Sequence, residues 1–416
     1  MRATPTAPES AMMFDVVSVA LLTGGGDKHY AYGITTALLS HGASVEVIGS
    51  NEFDSPEFMG KPGLRLLNLR GDMRTEVGFV EKMLRVIRYY LKLICYAATG
   101  APKVFHILWN NKFETIDRTV LMLYYRLLGK RVILTAHNVN TARRDEHDSL
   151  WNRITLRTQY ALCNHIFVHT EKMKAELVKE FGVSDSRITV IPYGINNAVP
   201  STDLSLVDAR RSLRIGNGEK VLLFFGRIAP AKGLDILISA FRIILASHQD
   251  YRLVIAGRPD RCQSYWESLK NEISSFPAGK IVLREDFIPD EEIEIFFKAA
   301  DVLVLPYRHI YQSGVLFLGQ SFGLPALVSD VGSLKEDTLA SNSGFVFRPE
   351  DPDELVSCVY RFFASELYLD TGRQRQRIQT QAFEQHSWTR VGKMILDVYT
   401  RSSEHADLEK QGSGLA

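Results

Sequence analysis

The sequence predicts an α/β protein built from two facing Rossmann-like domains, each of them a doubly wound parallel sheet. Strand-like runs alternate with helical patterns along the chain, which is typical of parallel sheets made from βαβ units. The alternation is interrupted after residue 195 by a stretch rich in Asn, Pro, Ser and Thr, which indicates a linker. The chain has 416 residues, enough for two or three domains of roughly 150 residues.

The first series predicts an N-terminal domain at residues 14–195, preceded by a flexible tail at residues 1–13. It opens with a strand, three consecutive glycines, a helix and a second strand, which together form one βαβ unit. Its strands are predicted at Phe14–Leu22, Ser44–Ile48, Val104–Leu108, Val132–Thr135, Ile166–His169 and Thr189–Ile191. Its helices are predicted at Tyr30–His41, Val80–Ala98, Asp117–Leu128 and Lys172–Phe181.

The second series predicts a C-terminal domain at residues 196–375. Its strands are predicted at Val221–Phe225, Arg252–Ala256, Ile281–Leu283, Val302–Leu305, Ala326–Val328 and Gly344–Phe347, with a helix at Leu234–Ser247. A helical segment at residues 376–402 is predicted to pack back on the first domain, and residues 403–416 are predicted to be a disordered tail. Because ligands of open α/β sheets bind at the carboxyl ends of the strands, functional residues are expected in the loops that follow strands.

Composition excludes several classes of function. Lys and Arg number 49 against 48 Asp and Glu, so no overall field attracts nucleic acid, and no nucleic-acid partner is expected. The four cysteines lie far apart in the sequence, which leaves no zinc or redox motif and favours a reducing compartment. No apolar run approaches the roughly 20 residues of a spanning helix, so a cytoplasmic protein is predicted.

Two cations follow the strand that opens the second domain. In the segment from Gly226 to Gly233, Arg227 and Lys232 lie between a buried strand and a helix, beside the positive end of the helix dipole. Two positive charges at such a point suit a diphosphate. The alternative is that both are solvated loop charges.

A second anion-binding candidate follows the strand Val302–Leu305. Ser313 and Gly314 begin a new helix there, and they offer a hydroxyl and free backbone N–H groups that suit phosphate oxygens. Ser-Gly is also a common helix cap, so this signal depends on the segments around it.

The order of these segments resembles the retaining glycosyltransferases of family 4, which have the GT-B fold. The resemblance covers nearly the whole chain. It depends on six segments: Thr135-Ala136-His137-Asn138, Val190 to Gly194, Phe224 to Arg227 with Lys232-Gly233, Leu253 to Gly257, Ala300-Asp301 to Pro306, and Phe322 to Pro325.

The resemblance implies that the second domain holds a nucleotide-diphosphate sugar and that the first holds the acceptor, with no metal and no cofactor. Arg227 and Lys232 would neutralise the departing diphosphate, and His137 would contact the reacting sugar. Other donor contacts are expected from Gly25, Gly26, Gly226, Tyr311, Gln312, Ser313, Gly314 and Val315. Acceptor contacts are expected from Asn138, Asn140 and Arg144, which would otherwise belong to an ordinary solvated loop.

One departure from the family pattern concerns the donor site. Members usually carry two glutamates seven residues apart around the loop at residues 311–319, and neither is present here. In the family these acids hold the sugar and the ribose. The resemblance therefore implies that Gln312, Ser313 and the backbone of Gly314 and Val315 make the donor contacts instead.

The segment Glu81–Tyr96 has two interpretations. Apolar Met83, Leu84, Ile87, Leu91 and Ile94 stand at helical spacing among four Lys and Arg residues. Such a helix lies on a membrane surface, at the inner face of the membrane if the protein is cytoplasmic, or it packs one face on its own sheet. The second interpretation is favoured, because both this segment and Leu121–Leu128 fit βαβ crossovers.

The sequence thus predicts a hexosyl- or other glycosyltransferase that moves a sugar from a nucleotide donor to a glycan, lipid-linked or small-molecule acceptor with retention. Two rivals stay open: a nucleotide-sugar epimerase on the same double-Rossmann plan, and a non-catalytic protein that binds a nucleotide sugar. The absence of both glutamates favours the non-catalytic protein, and the cationic pair argues against it.

Overall fold

The computed structural model describes residues 16–73, 78–144, 148–195, 199–260 and 262–412. They form two parallel sheets, each covered by helices on both faces. The N-terminal sheet has seven strands in the order β3-β2-β1-β4-β5-β6-β7, and the C-terminal sheet has six in the order β10-β9-β8-β11-β12-β13. All pairings are parallel, so in each sheet every strand ends at the same edge.

The N-terminal sheet and its helices come from the first half of the chain. The strands are β1 Ser18–Leu22, β2 Ser44–Gly49, β3 Leu64–Asn68, β4 Val104–Ile107, β5 Arg131–Thr135, β6 His165–Val168 and β7 Ile188–Val190. The helices are α1 Lys28–Ser40, α2 Phe79–Thr99, α3 Glu114–Ile116, α4 Met122–Leu127, α5 Thr141–Arg144, α6 Leu150–Leu162 and α7 Glu171–Phe181. A π-helical segment, Asp117–Leu121, joins α3 to α4.

The C-terminal sheet follows the linker. Its strands are β8 Lys220–Phe225, β9 Tyr251–Ala256, β10 Ile281–Arg284, β11 Val302–Leu305, β12 Ala326–Ser329 and β13 Gly344–Phe347. Its helices are α8 Leu206–Ser212, α9 Leu234–Ser247, α10 Gln263–Ser274, α11 Asp290–Ala299, α12 Gly314–Ser321, α13 Leu334–Ala340, α14 Pro352–Phe363, α15 Glu366–Leu369 and α16 Thr371–Gln385. The last helix, α17, spans Trp388–Gly412.

Two helical layers cover the N-terminal sheet. On one face α2, α4 and α6 bury Leu93, Tyr125 and Tyr160 against the strands. On the other face α1 and α17 share one core, to which α17 contributes Trp388 and Ile395. The last helix of the chain, which follows the second domain in sequence, therefore completes the core of the first domain.

Trp388 fixes this return of the chain. Its indole N–H donates to the carbonyl oxygen of Ile195 at 2.6 Å, and its ring packs edge-on against Tyr30. A Cβ atom added at Gly33 or Gly194 would lie 2.0 Å or 2.4 Å from the indole. Glycine is required at both positions, because the indole ring fills the space that a side chain would need.

The predicted fold class is confirmed, and individual elements differ. Several helices, among them α6, α10, α11 and α14, are not predicted. The sequence analysis omits β3, a short strand at the edge of its sheet. It favours packing of one face of α2 on the sheet, and one face does pack there, through Tyr89, Leu93 and Ala97. The predicted stripe is not that face, because Met83, Leu84, Ile87, Leu91 and Ile94 are all exposed. The helix α17 continues to Gly412, through a segment predicted to be disordered, while residues 1–13 lie outside the described residues.

We predict that Gly33→Ala destabilises the protein, although alanine ordinarily favours a helix interior by about 1 kcal/mol. The new methyl group would overlap the Trp388 ring, and overpacking of this kind typically costs ~1–3 kcal/mol. Gly372→Ala is the matched control, because Gly372 is also helical and has nothing within 4 Å of its added Cβ. Urea unfolding measures the free energy of unfolding of both variants. Equal changes in that free energy would contradict the packing of the Trp388 ring against Gly33.

Candidate functional site

A cavity of about 490 Å³ lies where the carboxyl ends of the two sheets face each other. The C-terminal domain contributes the loops after β8, β9, β10 and β11. The N-terminal domain contributes the loop after β1, the start of α1 and the segment after β7. Its lining residues include Asp27, His29, Tyr30, Tyr193, Gly194, Gly226, Arg227, Lys232, Gly257, Arg258, Asp286, Asp290, Gln312, Ser313, Gly314, Val315, Leu318 and Trp388.

Arg227 and Lys232 both line the cavity, as expected from their place after a strand. The Arg227 side chain is 62% exposed, and its Nη1 lies 3.0 Å from Asp260 Oδ2. The ammonium of Lys232 lies 3.7 Å from the centroid of the buried Tyr307 ring. Gly233 allows this loop to turn, because it has φ of 64° and an added Cβ would lie 1.9 Å from the carbonyl oxygen of Pro306.

The helix α12 points its N-terminus at the same cavity. Ser313 is its N-cap and Gly314 its first residue, and both line the cavity with Val315 and Gly226. The first N–H groups of a helix have no partner within it, and they carry the positive end of its dipole. Two side-chain cations and one helix terminus thus converge on one wall, an arrangement that suits an anion with several oxygens.

Gln312 and Leu318 line the cavity on either side of the first turn of α12. The Gln312 amide is hydrogen-bonded to Asp337, and its Oε1 is buried without a hydrogen-bond partner among the described residues. Burial raises the pKa of Asp337 to about 6, against the hydrogen bonds from Ser333 and Gln312. Leu318 adds an apolar surface, so this part of the wall is neutral apart from Asp337.

The opposite wall is aromatic. Tyr30, Tyr193 and Trp388 line it. The ring centroids of Tyr193 and Trp388 lie 5.5 Å and 5.2 Å from that of Tyr30. Tyr193 also stacks on Phe317 of α12 at 5.6 Å, which joins the two domains behind the cavity. Aromatic rings and loop cations therefore face each other across the space.

One ion pair bridges the cavity mouth. His29 Nε2, at the start of α1, lies 3.2 Å from Asp290 Oδ1, at the start of α11. The hydrogen bond to Asp290 raises the pKa of His29 above its ordinary value of 6.5, although partial burial opposes this. The pair joins the two domains at the edge of the cavity.

His137 lies beside the cavity and does not line it. Its ring stacks on Trp109 at 4.4 Å and meets the edge of Tyr30 at 4.6 Å. It lines a smaller polar pocket of about 170 Å³ with Asn138, Gln159 and Trp109. Tyr30 touches both His137 and the main cavity, and Tyr193, whose ring centroid lies 6.4 Å from that of His137, also lines the cavity.

Hydrogen bonds fix the tautomer of His137. The carbonyl oxygen of Ile191 accepts from His169 Nδ1 at 3.3 Å, and burial lowers the pKa of His169 to about 4. His169 is therefore neutral, and its Nε2 accepts from His137 Nδ1 at 3.1 Å. Burial also lowers the pKa of His137 well below its ordinary range, so its Nε2 is a bare acceptor, and it has no partner among the described residues.

Several predicted contacts lie away from the cavity. Gly25 and Gly26 do not line it, because the loop after β1 packs with Gly25 against Arg70 and with Gly26 against Trp109. The Tyr311 hydroxyl donates to Glu176 Oε1 at 3.0 Å and accepts from the Asn140 N–H at 3.3 Å. Tyr311 therefore joins the two domains instead of lining the cavity.

The predicted acceptor residues separate in the structure. Asn138 lines the polar pocket with His137. Asn140 is buried, and its Oδ1 accepts from the Arg143 N–H and from Asn152 Nδ2, so its side chain is used to build the loop. Arg144 ends α5, and its side chain lies outside the described residues.

The sequence analysis does not identify several cavity residues as site candidates, among them His29, Arg258, Asp290 and Trp388. Arg258 follows Gly257 directly after β9, so the rule that selects Arg227 would also have selected it. His29 and Asp290 meet only because the domains face each other. Trp388 lies far from the rest of the site in sequence.

Two facing parallel-sheet domains with a cationic wall at their cleft define a GT-B protein. Solved structures support this fold class. The chain is similar to sucrose-phosphate synthase from Thermosynechococcus elongatus, with a TM-score of 0.73, 16% identity, and coverage of 94% of this chain and 100% of that one. It is also similar to Anabaena HepE in complex with UDP and glucose, with a TM-score of 0.71, 15% identity, and coverage of 92% and 100%.

The chain belongs to the glycosyltransferases. Residues 24–199 match the model described as Glycosyltransferase Family 4, and residues 208–385 match Glycosyl transferases group 1. An uncharacterized glycosyltransferase of Methanocaldococcus jannaschii is 25% identical over 91% of this chain and 95% of its own. A D-inositol 3-phosphate glycosyltransferase of Acidothermus cellulolyticus is 28% identical over 58% of this chain and 53% of its own.

We predict that Asp290→Asn lowers the pKa of His29. The raised pKa means that the ion pair stabilises domain contact below the unfolded pKa of about 6.5 and that this contribution is lost as the pH rises through the folded pKa. A histidine ring NMR titration measures the pKa, with His29→Gln to assign the resonance. Glu291→Gln, the neighbouring acid on α11, is the control. An unchanged His29 pKa in Asp290→Asn would contradict the pair.

Proposed function

We propose that this glycosyltransferase moves a sugar from a nucleotide-diphosphate donor held in the C-terminal domain to an acceptor held by the N-terminal domain, with retention at the anomeric carbon. The observation that carries the proposal is the wall on which Arg227, Lys232 and the N-terminus of α12 converge. Three sources of positive potential at one point fit a diphosphate better than they fit a neutral ligand.

The comparisons support a nucleotide-sugar donor. The solved relatives include HepE with UDP-glucose and starch synthase IV of Arabidopsis thaliana with ADP and acarbose. If this chain holds its donor in the same cleft, the diphosphate would lie against Arg227, and the sugar would extend toward the aromatic wall of Tyr30 and Tyr193.

The transfer is mainly a matter of stabilising the leaving group. The bond from the anomeric carbon to the terminal phosphate oxygen breaks, its electron pair leaves with the nucleoside diphosphate, and the acceptor oxygen bonds to that carbon. The acceptor proton passes to the departing phosphate oxygen. Arg227, Lys232 and the α12 N–H groups would offset the negative charge as it develops.

We further propose that the free Nε2 of His137 accepts a hydrogen bond from a hydroxyl of the donor sugar or the acceptor. Its tautomer, fixed through His169, makes it an acceptor and not a donor in the described structure. Because Tyr30 separates it from the cavity, this contact would require a shift of the Tyr30 ring.

The donor is identified by a thermal-shift panel of UDP-, GDP-, ADP- and dTDP-sugars. A ligand at a hundred times its Kd stabilises the native state by about 2.7 kcal/mol. Product analysis with the stabilising donor then separates the rivals. Transfer to an acceptor supports the proposal, interconversion of the donor would indicate an epimerase, and binding without turnover a non-catalytic protein.

We predict that Arg227→Ala and Lys232→Ala each reduce turnover by on the order of 10² to 10³, since each removes a charge that acts on the leaving group. Lys280→Ala is the matched control, because Lys280 precedes β10 at the opposite edge of the same sheet. Its turnover should equal that of the parent. Parental turnover in Arg227→Ala with unchanged Tm would refute the diphosphate assignment.

We predict that turnover survives EDTA, because side chains and a helix terminus supply the charge that offsets the diphosphate. The initial rate is measured before and after chelation, and again after adding Mg²⁺ or Mn²⁺. Loss on chelation that either ion restores would show that a metal supplies that charge.

A further inference from the structure

The helix α2 has apolar residues on two opposite sides. Its inner side meets the sheet through Tyr89, Leu93 and Ala97. The opposite side carries Val80, Leu84, Ile87 and Leu91, which recur at the spacing of one helical face. All four are exposed, and Leu91 is 58% exposed. The apolar stripe of α2 therefore faces away from the protein.

The neighbouring helices extend this apolar surface. The segment 113–128 and α6 lie on the same face of the sheet as α2 and contact each other, with Tyr124 donating to the carbonyl oxygen of Ile94 and Trp151 Nε1 to Thr115 Oγ1. Of the 25 large hydrophobic side chains exposed in the described chain, 16 lie between residues 79 and 154. They form one outer surface, the three-helix face.

Charge distinguishes this face from the rest of the molecule. The segments 79–99, 114–127 and 150–162 hold eight Lys and Arg against three Asp and Glu, a local net charge of +5 in a chain of net charge +1. Of the three acids, Asp117 is buried, and Glu81 and Glu114 are paired with arginines four residues on. Arg153 is also paired, with Asp148 just before α6. The excess positive charge therefore comes from the other five cations, which are Lys82, Arg88, Lys92, Arg126 and Arg157.

A basic pocket adjoins the same face near the start of α2. It measures about 230 Å³ and is lined by four cations, Arg70, Lys82, Arg85 and Lys112, by Tyr89 and Tyr90, and by one acid, Asp72, whose Oδ2 lies 3.5 Å from Arg85 Nη1. Arg70 also donates to the carbonyl oxygen of Gly24, so the pocket lies beside the loop that leads into the main cavity. Its size and charge fit a phosphate group.

We propose that the three-helix face binds the surface of an anionic lipid bilayer. Apolar side chains would enter the boundary between headgroups and acyl chains, and the flanking Lys and Arg would meet anionic headgroups, one of them in the basic pocket. The Lys and Arg side chains that border the apolar stripe have long apolar stems, so their charged ends would reach the level of the headgroups. Among the described helices, none has the length and hydropathy of a membrane-spanning segment.

Vesicle co-sedimentation tests this directly and needs no glycosyl transfer. The full chain is mixed with vesicles of phosphatidylcholine alone or with phosphatidylglycerol added, at low and high salt. We expect binding to the anionic vesicles that weakens with salt. In Leu84→Asp/Leu91→Asp the partition coefficient should fall at least roughly tenfold, because two apolar side chains are lost from the contact.

Leu339→Asp/Leu369→Asp is the matched control, since both leucines are exposed on the C-terminal domain. It should bind as the parent does. Arg88→Glu/Lys92→Glu leaves the apolar stripe intact and should lose the preference for anionic lipid, so it tests the proposal even if the leucine variant fails to fold.

Trp151 supplies an independent signal. It is 61% exposed and is the one exposed tryptophan of the four in the chain, all of which are described. Its emission should shift to the blue on binding, and Trp151→Phe should bind without that shift. A shift that persists in Trp151→Phe would assign binding to another surface.

Other results would overturn the proposal. These are failure of the parent to bind anionic vesicles, or parental binding by Leu84→Asp/Leu91→Asp. A dimer seen by light scattering, lost in that variant and formed without vesicle binding, would instead make the three-helix face a contact between two copies of the chain.

Discussion

The seating of Trp388 is the contact on which the rest of the arrangement depends. Its ring fills the space left by Gly33 and Gly194, and its N–H holds the carbonyl of Ile195 at the junction of the domains. One residue thereby joins the end of the chain, the first helix and the interdomain segment. Because Trp388 also lines the cavity, the shape of the site depends on the same contact that closes the fold.

Electrostatics divides the site into two unlike walls. The C-terminal wall concentrates Arg227, Lys232 and the positive end of α12. On the N-terminal side, burial keeps His137 and His169 neutral beside the cavity, while His29, which lines it, pairs with Asp290. The chain as a whole is nearly neutral. Attraction for an anionic donor is therefore local to the C-terminal wall.

The parts of the fold that were predictable follow from local rules. Continuous apolar runs such as Val221–Phe225 identify central parallel strands, and strand direction then places Arg227, Lys232 and Ser313 at one edge. The pairing of His29 with Asp290 and the place of Trp388 depend on how two domains meet, which no local pattern records. Tyr311 shows the same limit, because its neighbours Gln312 and Ser313 line the cavity while its hydroxyl reaches the other domain.

The orientation of α2 shows a further limit of periodicity. A stripe at helical spacing indicates that a helix has an apolar face, but not whether that face meets its own sheet or the surroundings. Here Tyr89, Leu93 and Ala97 already cover the strands, so the second apolar stripe has no core to join. Both α2 and α6 begin at the carboxyl edge of the sheet, because each leads into the next parallel strand. Their outer surface therefore reaches the edge where the cleft opens, and an acceptor held in a bilayer against it would lie next to the N-terminal wall of the site.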